Sequence, residues 1–537
     1  MTAALPAPID NSPMSGDGDI VIGSGPAGVA AASALLGAGR RVTLLDVGED
    51  MEPACADLRS RLRSTDPSGW TAEDIARLTA KRSPAKGKMP FGSDILFRDP
   101  VGFFGTAGAP AEFSLRPSFA KGGFSTGWGA AILPYRAQDI DDWPLSLDDL
   151  DDHYAALSKF MPVAARRDRL QEVFPIPRIE SDTSLTESAQ ARELLRRLED
   201  HAPSLEAKGI FFGKARQAAS NRCYRCGMCL YGCAYDYIFN AAYTVDRLSG
   251  SANFRYIPAT YVDSVHESAA GTEVAGTNLT TSQRTAFQAD RVFIAAGVLQ
   301  TLRIVSNSID LTGAELTLKD SQHFFLPMLH SWSAGEDPEH EDKHTLTQVF
   351  LELIDREVSG RTVHVQLYTY HDWYAEDMRL RFGRLSPAIA PLIRFASKRL
   401  IVAQGFLHSD LSSQIKIRVG KGGNAGNLTF EVQRNQASSE VIAKVGRLLS
   451  AALPRIGLWP IRMMGRIEPV GSSFHGGATF PMRRRPGRYE TDTLGRLPGL
   501  TRIHLVDASV LPAIPATTIT YSVMANAHRI ATQAARI

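Results

Sequence analysis

The chain has 537 residues, 44% of them hydrophobic and 22% charged, a balance that excludes a mostly disordered or collagen-like polymer. That length calls for about two to four domains and a buried core that needs no disulfide staples. Lys+Arg 59 against Asp+Glu 57 gives a net charge of +2, so nothing global points to nucleic acid or an anionic membrane as partner.

Residues 1–18 are rich in Pro, Ser, Gly and Asp and read as a flexible tail, without the basic stretch and apolar run of a signal peptide. No segment approaches the ~20 consecutive apolar residues of a spanning helix, so the expectation is a cytoplasmic protein with no membrane span. The first ordered element is the strand Asp19–Ile22. Gly23-Ser-Gly25-Pro-Ala-Gly28 follows, then a small, apolar helical run to Leu36 and a second strand from Arg41 to Asp46. Strand, glycine turn, helix and strand within about thirty residues are the setting of a dinucleotide fingerprint. Gly23 permits the tight turn, Gly25 lets backbone N–H groups approach a pyrophosphate, and Gly28 lets helix and strand close up. Asp46 is placed to accept hydrogen bonds from an adenosine ribose.

Residues 51–85 read as helical, with Thr71 to Asp74 as a capping sequence. A loop region, 86–120, leads to Lys121-Gly122-Gly123-Phe-Ser-Thr-Gly127-Trp128-Gly129, small residues around one Trp, which suits backbone passing close to a flat ligand. Residues 138–213 have helical character, and Ser184 to Glu187 reads as a capping box before Ala191, Leu194, Leu195 and Leu198. Strands are expected at 253–257, at Tyr261-Val262 and at 291–297, with a helix from near Leu299. Polar and apolar residues alternate over 362–370, 414–419 and 427–432, which predicts an antiparallel sheet with one solvated or ligand-facing side. A helix over about 438–453 follows, and the chain closes on a strand, 502–507, and a helix from Tyr521.

The five cysteines are unevenly placed. Cys55 stands alone, whereas Cys223, Cys226, Cys229 and Cys233 fall within eleven residues. In a reducing compartment this favours a metal or redox site over disulfides. The spacing C-x2-C-x2-C-x3-C is that of a ferredoxin cluster loop, with Ala234 where Pro usually follows. Three readings stay open: a [4Fe-4S] or [3Fe-4S] cluster, a zinc ion on four thiolates, or four packed thiols. Arg483, Arg484, Arg485 and Arg488 offer either an anion contact or a solvated turn, and Tyr368, Tyr370, Trp373 and Tyr374 either stack on a sugar ring or belong to the core.

Five blocks in this order resemble the glucose–methanol–choline family of FAD oxidoreductases: Gly23 to Asp46, Gly122 to Gly129, Ala295-Ala296-Gly297, Ser473-Phe474-His475, and His504 to Pro512. The resemblance implies an α/β fold, with a doubly wound, Rossmann-like FAD-binding domain and an inserted antiparallel-sheet substrate domain. The FAD domain would be discontinuous over 19–135, 214–310 and 465–537, with a Cys-rich loop at 220–235. The substrate domain would take 136–213 and 311–464. Position by position, Gly23, Gly25, Gly28 and Asp46 fall on the ADP-binding part, Val262 on the strand that meets adenine, and Asp507 and Ala508 on the ribityl and pyrophosphate segment. Gly122, Gly123, Trp128, Gly129 and Gly297 fall on further cofactor-contacting segments. The helix beginning near Thr520 would direct its N-terminus at the flavin, where reduction places negative charge.

His475 falls on the family's catalytic base, and an imidazole suits removal of a hydroxyl proton. The family's second His or Asn falls on Thr518, which can donate a hydrogen bond but cannot act as a base. Trp128 is a second departure, standing where many members have Asn. The expected function is a FAD-dependent dehydrogenase acting on the CH–OH group of a sugar, polyol or other alcohol, with electrons passing through the cysteine site to an external acceptor or redox protein. The alternatives are an O2-using oxidase without a cluster and a non-catalytic electron-transfer flavoprotein.

Overall fold

The structure is a computed structural model that describes residues 18–79, 88–103, 113–177, 179, 181–333, 335, 337–421 and 428–537. The expected N-terminal tail, except Gly18, lies outside the described residues. Five parallel strands form the first sheet, in the order Ile503–Leu505, Arg291–Ile294, Asp19–Ile22, Val42–Leu45 and Phe254–Ile257. Their residues are short apolar runs buried on both faces, as a sheet covered by helices requires. The helix Pro26–Gly37, built almost wholly from Ala, Gly, Val and Leu, packs closely against the C-terminal helix Ile519–Ala534.

A second sheet is antiparallel. Its main path runs Leu458–Pro460, His323–His330, Leu400–Phe406, Val363–Tyr368, Val349–Leu353 and Ile210–Lys214. Period-two alternation sorts its two faces. Val363, Val365 and Leu367 join Leu351, Ile401 and Ala403 in a core with the helices Ala189–Asp200 and Gln436–Ala452. His364, Gln366 and Tyr368 therefore turn to the opposite face. A four-stranded sheet, Leu428–Gln433, Gln414–Val419, Glu315–Asp320 and Gly476–Gly477, joins the two main layers, because Asp320 ends one of its strands and His323 begins the next. The architecture is α/β, with a doubly wound domain and a separate antiparallel sheet. Among the described residues no helix is long and apolar enough to cross a membrane.

Several local expectations need correction. Ser184 does not cap a helix. The helix starts at Ala189, and the Ser188 hydroxyl accepts from the Ala191 N–H. Ser184 is instead bound to the Asp182 carboxylate, and Glu187 is drawn away to Lys214, 2.5 Å distant. The region 138–213 also ends in a strand, Ile210–Lys214, and the chain between 271 and 289 supplies two strands that the sequence reading missed. The Thr71 cap is present, its hydroxyl accepting from the Asp74 N–H at 3.0 Å.

Gly28 shows how tightly the first turn is drawn, since a Cβ there would lie 1.9 Å from the Gly23 carbonyl oxygen, whereas one at Gly37 would meet nothing within 4 Å. Gly28→Ala should destabilise the protein by ~2 kcal/mol or more, and Gly37→Ala should be neutral or stabilising. Thermal unfolding of the two variants checks the contrast, and equal midpoints would contradict it.

Candidate active site

The parallel sheet and its neighbours enclose a cleft with about 1270 Å³ of empty space, part of it open to solvent. Gly23, Gly25, Asp46, Gly123, Val262, Gly297, Asp507, Ala508 and Thr520 all line it, so most of the cofactor-binding residues expected from sequence converge here. A Cβ on Gly25 or Gly297 would project into open space. The Asp46 carboxylate accepts from the Ser24 hydroxyl and, at 3.2 Å, from Tyr256, and burial raises its pKa to about 6. Ser24 also accepts from the Gly122 N–H at 2.8 Å, tying the two glycine segments together. Asp507 accepts from the N–H groups of Gly297 and Ser509, both at 2.9 Å, and from the Thr301 hydroxyl. Arg303 was not anticipated. Its guanidinium lies 4.0 Å from the centre of the Tyr261 ring and donates to the Val262 carbonyl.

His475 lies in a turn that Asp320 holds from below. Asp320 accepts from the Gly471 N–H at 2.9 Å and the Ser473 hydroxyl at 2.7 Å. The His475 N–H donates to Ser473 Oγ at 3.0 Å, and its carbonyl accepts from Ser321 at 3.3 Å. Phe474 (φ 58°) and Ala478 (φ 65°) adopt left-handed backbone on either side of the site, conformations that need such support. The His475 ring stacks on Phe406 at 5.1 Å, and Phe406 also borders His323 and His364 at 5.7 and 5.9 Å. Burial first, then these two histidines, push the His475 pKa down to about 3, so the imidazole is neutral. Its Nδ1 finds no partner among the described residues.

The polar face of the antiparallel sheet carries a hydrogen-bonded row. Tyr368 OH donates to Gln366 Oε1 at 2.8 Å, and Gln366 Nε2 meets His364 Nε2 at 3.1 Å. An amide nitrogen only donates, so His364 accepts at Nε2 and keeps its hydrogen on Nδ1. That hydrogen goes to Glu352 Oε1, 2.6 Å away, in a pair with no solvent exposure. Thr518 is buried at the residue preceding the C-terminal helix, where its hydroxyl makes no capping bond and instead accepts from the Leu133 N–H at 3.2 Å. Trp128 donates to the Phe239 carbonyl at 2.8 Å, and Tyr370 is buried.

The arrangement has a counterpart of known structure. It aligns with pyridoxine 4-oxidase from Mesorbium loti at a TM-score of 0.57 and 14% identity, over 96% of this chain and 98% of that one. The two chains share one fold over nearly their whole lengths. No family model and no curated protein matches the sequence.

Within that fold the cysteine segment is a separate, compact feature. Cys223, Cys226, Cys229 and Cys233 line one small cavity with Leu185, Leu346 and several tyrosines. Backbone N–H groups point at the sulfurs: Arg225 at Cys223 and Thr345 at Cys229, both at 3.4 Å, Met228 at Cys226, and Tyr235, Tyr237 and Ile238 at Cys233. Burial, then repulsion from Cys229, raises the thiol pKa values of Cys223, Cys226 and Cys233, that of Cys223 to about 12. Among the described residues the only three metal-binding side chains whose ligand atoms lie within 4.8 Å of one another are Asp337, Glu339 and His340, so no three cysteines meet that limit.

Neutral histidines, four of them buried and His475 half-buried, set an acid limit on stability. His475 is lowered to about 3, and His323, His330, His344 and His504 to about 4, each mainly by burial. Once unfolded they take up a proton below pH ~6.5, so their contribution is present above that pH and lost as the pH falls towards 4. Asp46 and Asp320, raised to about 6 by burial, act in the opposite sense between pH ~4 and 6 but are outnumbered. Urea unfolding at pH 7 and 5 should show lower stability at pH 5, with up to ~1.4 kcal/mol per pH unit from each histidine. His475→Gln should make the slope shallower, and a flat profile would count against the neutral assignment.

Proposed function

We propose that this chain is a FAD-dependent dehydrogenase that oxidises a hydroxyl of a sugar, polyol or related alcohol to a carbonyl. The observation that carries this reading is His475, a neutral imidazole with an unpaired nitrogen, held rigidly in a fold whose dinucleotide fingerprint faces an open cleft. Space at Gly25 and Gly297 and the Asp46 carboxylate fit an adenine dinucleotide, whose pyrophosphate would lie at the N-terminus of the helix Pro26–Gly37. When bound, FAD supplies the two-electron acceptor for the substrate hydride.

His475 takes the hydroxyl proton. Because its surroundings disfavour an imidazolium, transfer gains driving force only as the C–H electron pair leaves and the hydroxyl becomes more acidic. Thr518 keeps its own hydrogen free to donate to the substrate oxygen, since its recorded bond uses the oxygen as acceptor. The first turn of the helix Ile519–Ala534, with Thr520 on the cleft, presents its positive end to developing negative charge.

The cysteine site is read as an iron–sulfur site. Four sulfurs around one cavity, each facing backbone N–H groups, suit a multi-iron cluster. A single zinc ion with bonds of ~2.3 Å would draw the sulfurs to roughly 3.8 Å apart, tighter than they stand here. Such a cluster supplies single-electron transfer to an external acceptor. The name of the structural neighbour favours the second reading, an oxidase that returns electrons to O2.

Purified protein should be yellow and release FAD on denaturation. His475→Ala should slow anaerobic flavin bleaching by a reactive alcohol ~10²- to 10⁴-fold while retaining FAD, and Thr518→Ala should cost less. Unchanged single-turnover reduction would remove His475 from the mechanism, and no bleaching with any alcohol would favour a non-catalytic flavoprotein. Anaerobically prepared protein should contain ~3–4 iron atoms and as many labile sulfides. Cys226→Ser should slow transfer to an artificial acceptor while leaving bleaching intact. Stoichiometric zinc, or four titratable thiols in fully active protein, would overturn the relay.

A further inference from the structure

The near-zero net charge of the chain hides one local imbalance. From Met378 to Ser409 there is no acidic residue, whereas Arg379, Arg381, Arg384, Arg394, Lys398 and Arg399 are all basic. Most of this stretch belongs to a helical hairpin, Asp372–Phe382 and Ala390–Ser397, inserted between the strands Val363–Tyr368 and Leu400–Phe406. Its base is fixed, since Trp373 donates to the Tyr231 hydroxyl at 2.5 Å and Ile393 is buried.

The remainder of the hairpin is apolar and unburied. Leu380, Leu385 and Leu392 are 71%, 67% and 62% exposed, and Phe382 and Phe395 about half exposed. Five of the eleven exposed large apolar side chains among the described residues thus fall within sixteen positions. Scattered singly such residues need no explanation, but gathered on one projection they mark an interaction surface. The helix Asp372–Phe382 buries none of its residues, although packing of an apolar face is what ordinarily stabilises a helix. Trp459, 54% exposed, extends the surface at the same end of the sheet, where Leu329 pairs with both Trp459 and Leu400.

The charges decide what covers this surface. Arg381, Arg394 and Lys398 have acidic partners in Asp377, Glu339 and Asp337. Arg379 and Arg384 are exposed and form no ion pair among the described residues. Arg399 lies 3.9 Å from the centre of the Phe395 ring, a cation beside an exposed aromatic. A second copy of the hairpin would bring like charges together, and an acidic protein surface would leave the leucines against charged groups. An anionic bilayer boundary satisfies both sets, with phosphates for the guanidinium groups and acyl chains for the apolar side chains.

We propose that the hairpin 372–397 docks this protein on an anionic phospholipid surface, lying in the interface without spanning it. The inference concerns this surface alone and does not depend on the chemistry assigned to His475.

The test floats full-length, FAD-loaded protein with vesicles of phosphatidylcholine, or of an equal mixture of phosphatidylcholine and phosphatidylglycerol. Mixed vesicles should carry the protein, neutral ones should bind it ~10-fold more weakly or less, and added salt should weaken binding. Arg379→Gln with Arg384→Gln should weaken binding ~10- to 30-fold, at roughly fivefold for each cation. Leu385→Asp with Leu392→Asp should weaken it at least as much. Both double variants should keep the parent's unfolding midpoint and flavin spectrum, because the replaced side chains are exposed. Arg484→Gln with Arg485→Gln, on the exposed arginine run after the His475 segment, should bind like the parent.

No flotation with mixed vesicles, or equal flotation with neutral ones, would overturn the inference. Loss in the Arg484 and Arg485 variant as complete as in the Arg379 and Arg384 variant would overturn it too, assigning the contact to that other run. Binding that needs the arginines but not the leucines is the behaviour expected towards an acidic protein surface and would count against lipid docking. A dimer broken by Leu385→Asp with Leu392→Asp, in protein that floats with neither vesicle, would assign the hairpin to a second copy of the chain.

Discussion

The Asp320 carboxylate is the contact on which the geometry around His475 depends. It closes a strand of the four-stranded sheet, accepts from Gly471 and Ser473, and sits opposite Gly476 in the strand register. Three residues later the chain enters the antiparallel sheet at His323, so one buried acid fixes the turn that carries the imidazole and the start of the sheet that faces it. Burial disfavours its charge, and the two hydrogen bonds offset that cost. The left-handed backbone at Phe474 and Ala478 persists because this hold and the short strand Gly476–Gly477 over-determine it.

Most of the nucleotide-binding half was legible in the sequence, because its signals are local. A glycine turn between an apolar strand and a small-residue helix has few alternative structures, and the residues read from it do line one cleft. The alternation over 362–370 likewise announced a sheet with one unusual face. The capping box at Ser184 failed because two stronger partners, Asp182 and Lys214, took the side chains that would have closed it. The bonds made by Asp320, by Arg303 and within the Glu352–His364 pair were illegible for a different reason. Each bond joins residues far apart in the chain or on adjacent strands, and no spacing rule in a single sequence pairs an acid with the turn it supports.

The two polar features differ in how they are satisfied. The row from Tyr368 to Glu352 passes each hydrogen to the next group in a single direction, so it selects one tautomer of His364. The cysteine loop relies on backbone instead. Its thiols gather N–H groups from their own segment and from Thr345, which anchors the loop to the antiparallel domain.

The strand Val363–Tyr368 has a consequence for how the chain folds. Its two faces are chemically opposite: three aliphatic side chains against the helices, and an imidazole, an amide and a phenol on the other side. Pairing displaced by one residue would exchange the sets, pressing His364, Gln366 and Tyr368 into the aliphatic core and turning Val363, Val365 and Leu367 outward. Glu352, next to the misplaced imidazole, would lose its partner in the same move. The polar row thus penalises misalignment, since a register shifted by one residue forfeits burial and hydrogen bonding together.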